Sequence, residues 1–179
     1  MDKIISVKDK KFCVSINADD LQKNVKRVAD EINRDYNGRE VMFVGILNGA
    51  FMFAADLLKN ISLDCEISFV KVASYSGTAS TGEVKELIGL NSDIKGRDVV
   101  IVEDIIESGL TIGTVLGMLD KLGAKSVRVA TLIFKPESFK GSYNVDYVGF
   151  NLPKSFIVGY GLDYDGYGRN LPEIYSIVE

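Results

Sequence analysis

The stretch VVIVEDIIESGLT, residues 99 to 111, sets three carboxylates, Glu103, Asp104 and Glu107, close together and follows them with Ser108, Gly109, Leu110 and Thr111. Carboxylates about 4 Å apart repel by roughly 4 kcal/mol at an effective dielectric near 20, so the cluster calls for a compensating ligand or a chemical use. The residues after the acids supply successive backbone N–H groups where a helix should open, and an anion there gains up to about 2 kcal/mol in a partly buried geometry. Acids repel phosphate, yet one ligand suits both halves. A ribose 5-phosphate would donate its diol to the carboxylates and rest its phosphate on the loop amides, with Mg²⁺ shielding the remaining negative charge. An acidic turn beside an ordinary helix cap is the simpler alternative for this stretch taken alone.

A strand must deliver these acids and a helix must begin just after them. DVVIV (98 to 102) reads as a deeply buried strand, and in open parallel sheets ligands bind beyond the carboxyl ends of strands, where Glu103 and Asp104 are expected. Thr111 is expected to cap a helix carrying Ile112, Val115, Leu116 and Leu119 that stops at Gly123. VMFVGIL (41 to 47) is a second uninterrupted apolar run, with a helix from about Phe51 to Ile61 after it. CEISFVKVA (65 to 73), VKELIGL, SVRVATLIF (126 to 134), DYVGF and EIYSIV supply further strands. Residues 4 to 16 read as a half-buried hairpin, and Asn17 as the N-cap of a helix with Leu21, Val25, Val28 and Ile32 at helical spacing and Gly38 as its stop. SYSGTASTGE (74 to 83) has no periodicity and reads as a mobile loop. Strands alternating with helices predict an α/β fold with a mainly parallel twisted sheet flanked by helices, in one domain.

Composition narrows the chemistry. The 179 residues contain no histidine, which removes Ser-His triads, imidazole metal sites and histidine acid/base work, leaving acids and lysines. A net charge of −4 gives no global attraction for nucleic acid or an anionic membrane, so neither is expected as a partner. Asn48, two glycines and Asp56 interrupt the apolar segment 41 to 58 and argue against a membrane span. Two cysteines, Cys13 and Cys65, both in contexts that read as strand interior, and no recognisable signal peptide fit a reducing cytoplasm.

A buried strand, two acids, two aliphatics, an acid, a small hydroxyl residue, glycine, any residue and threonine: this order resembles the phosphoribosyl pyrophosphate motif of the type I phosphoribosyltransferases. The similarity runs over most of the chain and is closest to the 6-oxopurine branch, which acts on hypoxanthine or guanine. That resemblance implies the family fold with a small hood formed by the N-terminal hairpin and about residues 150 to 179. It implies a pyrophosphate loop at Leu47, Asn48 and Gly49, with a cis peptide after Leu47, and a lid whose Ser74 and Tyr75 close over the reacting centre. Lys135 in LIFKP would contact the purine's exocyclic oxygen. In KSFIVGYGLDYDGYGRNLP, Phe156 would stack on the base, Ile157 would offer backbone contacts, Asp163 would sit near the purine and the metal, and Arg169 near pyrophosphate. Glu103, Asp104 and Asp163 are then the candidates for Mg²⁺, Glu107 with Lys135 the catalytic candidates, and a homodimer or homotetramer the expected assembly.

Taken singly, several of these residues have plainer readings. Lys135 reads as a solvated strand exit, Phe156 as core, and Asp163, Asp165 and Arg169 as a surface ion pair. Two positions depart from the family pattern. Glu107 stands where an aspartate is usual, which adds one methylene of reach, and Asn48 where many relatives have lysine, which removes a positive charge near pyrophosphate. A weakened, nucleotide-sensing or RNA-binding regulator on the same fold, or a transferase for xanthine, uracil or orotate, are the alternatives these departures leave open.

Overall fold

The computed structural model describes residues 4–73, 85–88, 90 and 93–178. Its main sheet contains β3 (Val41–Ile46), β4 (Cys65–Ala73), β5 (Lys85–Ile88), β6 (Asp98–Ile106), β7 (Ser126–Phe134) and β8 (Tyr147–Asn151), in the order β5-β4-β3-β6-β7-β8. All neighbours are parallel except β5, which runs antiparallel to β4. A smaller antiparallel sheet, the hood, joins the hairpin β1 (Ile4–Val7) and β2 (Lys10–Ile16) to β10 (Ile174–Ile177) and β9 (Ile157–Val158).

The apolar runs of β3 and β6 are buried on both faces, as parallel strands between two helical layers must be. Period-two alternation splits them between the layers. Val41, Phe43, Val100 and Val102 pack with α1 (Ala18–Asp35) and α2 (Phe51–Lys59). Met42, Val44, Val99 and Ile101 pack with Ile112, Val115 and Leu119 of α3 (Leu110–Lys121) on the opposite face. The hood keeps its own cluster of Val7, Phe12, Val158 and Tyr175. Asn17 caps α1 as its sequence predicts, its side chain accepting from the Asp20 N–H at 2.9 Å. Arg27 of α1 reaches β8 at the margin of the sheet, donating to the Val148 and Gly149 carbonyls at 2.7 and 3.0 Å.

From β3 the chain crosses by α2 to β4 on one side, and from β6 by α3 to β7 on the other. The adjacent strands β3 and β6 therefore form the switch point of the sheet, where loops diverge and leave a crevice. At the other end of β6, Asp98 is buried and accepts from Ser126 Oγ at 2.6 Å, Lys125 Nζ at 3.1 Å and Arg39 Nη1 at 3.4 Å. The Ser126 hydrogen bond and these cations hold its carboxyl below the usual range, outweighing its burial. Cys13 is half-buried within β2, whereas Cys65 opens β4 and is exposed rather than interior; both are free thiols. Among the described residues no helix is long and apolar enough to cross a membrane.

Candidate functional site

β6 runs four residues further than its apolar run suggests. Glu103 and Asp104 lie within the strand rather than beyond its carboxyl end, because Ile105 and Ile106 continue the ladder against Ile133 and Phe134 of β7. On the other side β3 has already ended, with Gly45 paired to Val102, so the two acids stand at the crevice. Both are buried, at 6% and 8% exposure. Glu103 Oε1 accepts from the Asp104 N–H at 3.0 Å, and Asp104 Oδ1 from the Ile105 N–H at 2.8 Å. Burial, then repulsion from Asp104, pushes Glu103 well above the ordinary carboxylate range. Burial raises Asp104 as well, against its bonds to Glu103 and the Ile105 N–H and the charge of Arg169. An empty pair of this kind favours any proton, hydroxyl or cation that relieves it.

Beyond the strand, Glu103, Glu107, Ser108, Gly109, Thr111 and Ile112 line an open cavity of about 240 Å³. Gly109, not Thr111, occupies the N-cap position of α3, with φ of 80° and no side-chain cap; Thr111 is already helical. The left-handed turn that only glycine takes easily brings the chain into the helix with no capping side chain at Gly109; Ser108 Oγ accepts weakly from the Leu110 N–H at 3.4 Å, and the N–H groups of such a helix opening are anion donors. The turn is held from outside by Tyr143, whose hydroxyl donates to the Gly109 carbonyl at 2.7 Å, and by the ring of Phe139, which packs edge-on against Tyr143. Burial and the nearby charge of Glu103 push the Tyr143 phenol up to about 12.

Leu47, Asn48 and Gly49 leave β3 across the crevice, and the Leu47–Asn48 peptide is cis, as the resemblance implies. A Cβ on Gly49 would lie 1.6 Å from Asp104 Oδ2 and one on Gly161 would lie 2.1 Å from the Gly49 carbonyl oxygen. Acid pair, loop and hood are therefore stacked with backbone in direct contact. Arg169 Nη1 donates to the Gly161 carbonyl at 2.7 Å, and its Nη2 pairs with Asp163 Oδ1 at 2.7 Å. The surface ion pair that the sequence allowed is thus formed, with Asp163 Oδ2 also accepting from the Gly166 N–H at 2.6 Å.

Lys135 is not a solvated strand exit. It is 3% exposed, and its ammonium donates to Glu107 Oε1 and, at 2.6 Å, to the Ser155 carbonyl. Phe156 is 43% exposed, so it is not core, and its ring lies 6.2 Å from Phe12 and 5.7 Å edge-on from Tyr164. Ile157 is buried in β9. Ser74 and Tyr75, and the mobile loop expected around them, lie outside the described residues. The sequence reading missed Tyr143, the Ser155 carbonyl, and a pair made by Tyr160 and Asp56; their partners lie 20 to 104 positions away, and no local pattern links them.

For a divalent cation, Glu103 and Asp104 provide adjacent hard oxygen donors whose crowded negative charge a cation would relieve. Among the described residues no group of three acidic, cysteine or histidine side chains could cage a metal. Mg²⁺ suits that arrangement, because it is commonly held by one or two carboxylates with water and substrate phosphates completing its shell.

Comparison with known proteins agrees with this geometry. A family model described as the phosphoribosyl transferase domain matches residues 17–165. Over 162 residues the chain is 42% identical to a hypoxanthine-guanine phosphoribosyltransferase of Bacillus subtilis, covering 90% of each. It is 45% identical over 162 residues to the bifunctional protein TilS/HprT of Listeria innocua, but spans only 25% of that relative's length. A crystal structure of a hypoxanthine-guanine phosphoribosyltransferase from Bacillus anthracis superposes with a TM-score of 0.87 at 41% identity, over 93% of this chain and 96% of that one. With its switch-point acids, its glycine-opened helix and these relatives, the chain belongs to the phosphoribosyl transferase domain family.

Proposed function

We propose that the protein transfers a phosphoribosyl group from phosphoribosyl pyrophosphate to hypoxanthine or guanine, giving the nucleoside monophosphate and pyrophosphate. The observation that carries this reading is the cavity lined by the buried Glu103, by Glu107 and by the opening of α3, with Asp104 buried beside Glu103, where the two ends of one sugar phosphate meet opposite demands. The ribose diol donates to Glu103 and Asp104, and the 5-phosphate accepts from the amides of Ser108 through Thr111. Leu47 to Gly49 and Arg169 face the pyrophosphate.

In the reaction, a purine ring nitrogen forms a bond to the anomeric carbon as the bond from that carbon to the pyrophosphate oxygen breaks. The transition state carries positive charge on the sugar, which buried carboxylates stabilise more than they stabilise the substrate. Glu107 takes the proton that the ring nitrogen loses. Lys135 donates to the exocyclic oxygen, Phe156 stacks on the base, and Ile157 offers its backbone. Glu103 and Asp104 would hold Mg²⁺, which would supply charge screening for the diphosphate. Asp163 is paired with Arg169 and does not form a three-carboxylate group with Glu103 and Asp104 among the described residues. We place the enzyme in the cytoplasm as a homodimer or homotetramer; Phe51 of α2, 42% exposed, offers an apolar contact for assembly.

Product analysis with phosphoribosyl pyrophosphate, Mg²⁺ and a panel of bases tests the reading. Release of pyrophosphate with formation of IMP or GMP is expected. Turnover confined to xanthine, uracil or orotate would move the substrate assignment, and binding without turnover on any base would favour a regulator.

A further inference from the structure

Three successive residues of the hood, Gly159, Tyr160 and Gly161, have φ of +102°, +50° and +101°. Glycine takes such values freely, but a tyrosine there is strained and persists only where its surroundings over-determine it. Here the surroundings are specific. The Tyr160 ring is 2% exposed, and its hydroxyl donates to Asp56 Oδ2 at 2.6 Å. Asp56 sits on α2, the helix that opens directly after Leu47 to Gly49, and also accepts from Gln22 Nε2 of α1 at 2.8 Å and from Lys59 Nζ at 2.8 Å. One carboxylate thus ties two core helices to the hood turn. Burial, then the bond to Asp56, keeps the phenol protonated well above its ordinary range, so this tie persists at any ordinary working pH.

The residue after Tyr160 is the one whose backbone touches the diphosphate-side loop, with Gly161 against the Gly49 carbonyl. Gly161 also exchanges backbone and side-chain hydrogen bonds with Arg169: its N–H donates to the Arg169 carbonyl at 2.9 Å, and its carbonyl accepts from Nη1. We infer that Tyr160 and Asp56 are a positioning pair, which sets the distance between the hood loop carrying Asp163 and Arg169 and the loop 47–49, and so fixes the base side and the diphosphate side of the site relative to each other. Neither residue touches the reacting atoms. The inference rests on the proposed phosphoribosyl transfer for its catalytic consequence, but the coupling of the two loops is a property of the protein alone.

Two measurements on Tyr160→Phe separate these parts. The substitution keeps the ring and leaves Asp56 its bonds to Gln22 and Lys59, so the fold should be retained. Amide exchange of the free protein is expected to speed up at Gly161 and at Ala50 together. Because a hydrogen bond to a charged group is worth tenfold or more, the KM values for phosphoribosyl pyrophosphate and for the base are both expected to rise by about tenfold. Circular dichroism should change little and the melt should stay cooperative, with its midpoint lowered by several degrees through loss of the same bond. Asp56→Asn, which keeps an acceptor for the phenol but loses the charge, should fall between wild type and Tyr160→Phe on both readouts, and decides the matter should the first variant fail to fold. Faster exchange confined to the hood, or unchanged exchange with unchanged KM values, overturns the inference. A wild-type protein that transfers no phosphoribosyl group overturns the functional reading instead, while amide exchange still decides the coupling.

Discussion

Replacing Glu107 by aspartate should make the enzyme bind its base more tightly and make the free protein slightly less stable, by the same free energy. In the structure the Lys135 ammonium, 4% exposed, is engaged by Glu107, and that lysine is the group proposed to meet the purine oxygen. Base binding must therefore draw Lys135 away from a carboxylate. Shortening the side chain by one methylene withdraws the carboxylate by about 1.5 Å. At an effective dielectric near 20, stretching a charge pair from about 3 to about 4.5 Å forfeits roughly 2 kcal/mol. Glu107 is 54% exposed, so solvent screening reduces this to about 1 kcal/mol. A gain of about 1 kcal/mol in base binding lowers the KM for hypoxanthine or guanine about fivefold. The same loss in the free protein lowers the thermal midpoint by about 2 to 4 °C. Steady-state kinetics with base varied at saturating phosphoribosyl pyrophosphate, beside a thermal melt, measure both. A KM for base that is unchanged or higher in Glu107→Asp would refute the idea that the glutamate holds the lysine back.

Gly49→Ala should reduce affinity for phosphoribosyl pyrophosphate sharply, since its methyl would fall 1.6 Å from Asp104 Oδ2; overpacking of this kind costs about 1 to 3 kcal/mol, readable by equilibrium binding and by denaturant titration. Tyr143→Phe removes the hydroxyl that holds the Gly109 carbonyl; a loss of about 1 kcal/mol in stability and a several-fold rise in KM for phosphoribosyl pyrophosphate are expected. Asp98→Asn leaves Lys125 and Arg39 without their carboxylate and should cost about 2 kcal/mol at pH 7. Because the folded-state pKa of Asp98 is depressed, its contribution is present above the ordinary carboxylate value and is lost as pH falls through the lower folded value. Denaturant melts of wild type and variant should therefore converge on acidification through that range, and a gap that persisted would count against the assignment.

What the sequence reveals is what local rules encode. The unbroken apolar run from Val41 predicts a strand covered on both sides, and Asn17 followed by two acids predicts the cap found there. The charged pair after Val102 ends an apolar run, but it does not end a strand whose neighbour β7 continues to Phe134, and hydrogen-bonded pairing outweighs composition. Thr111 has the right chemistry for a cap, yet the backbone turn at Gly109 takes that position. Lys135 reads as solvated because both partners that satisfy its charge in the interior, Glu107 and the Ser155 carbonyl, are remote in sequence, and the second is main chain. Composition and spacing locate the acids and the helix opening; the contacts that set their distances are long-range and carry no motif.

The sheet has a bare margin at β8, where the segment Tyr147 to Asn151 is short, uncharged and partly apolar. Such a margin is a template on which a strand of another molecule can add. Arg27 occupies two of its carbonyls from outside with a bulky cation. Swapping that guanidinium for a small neutral group would free both carbonyls at a margin two strands removed from β6, and edge-to-edge association at high concentration is the expected consequence.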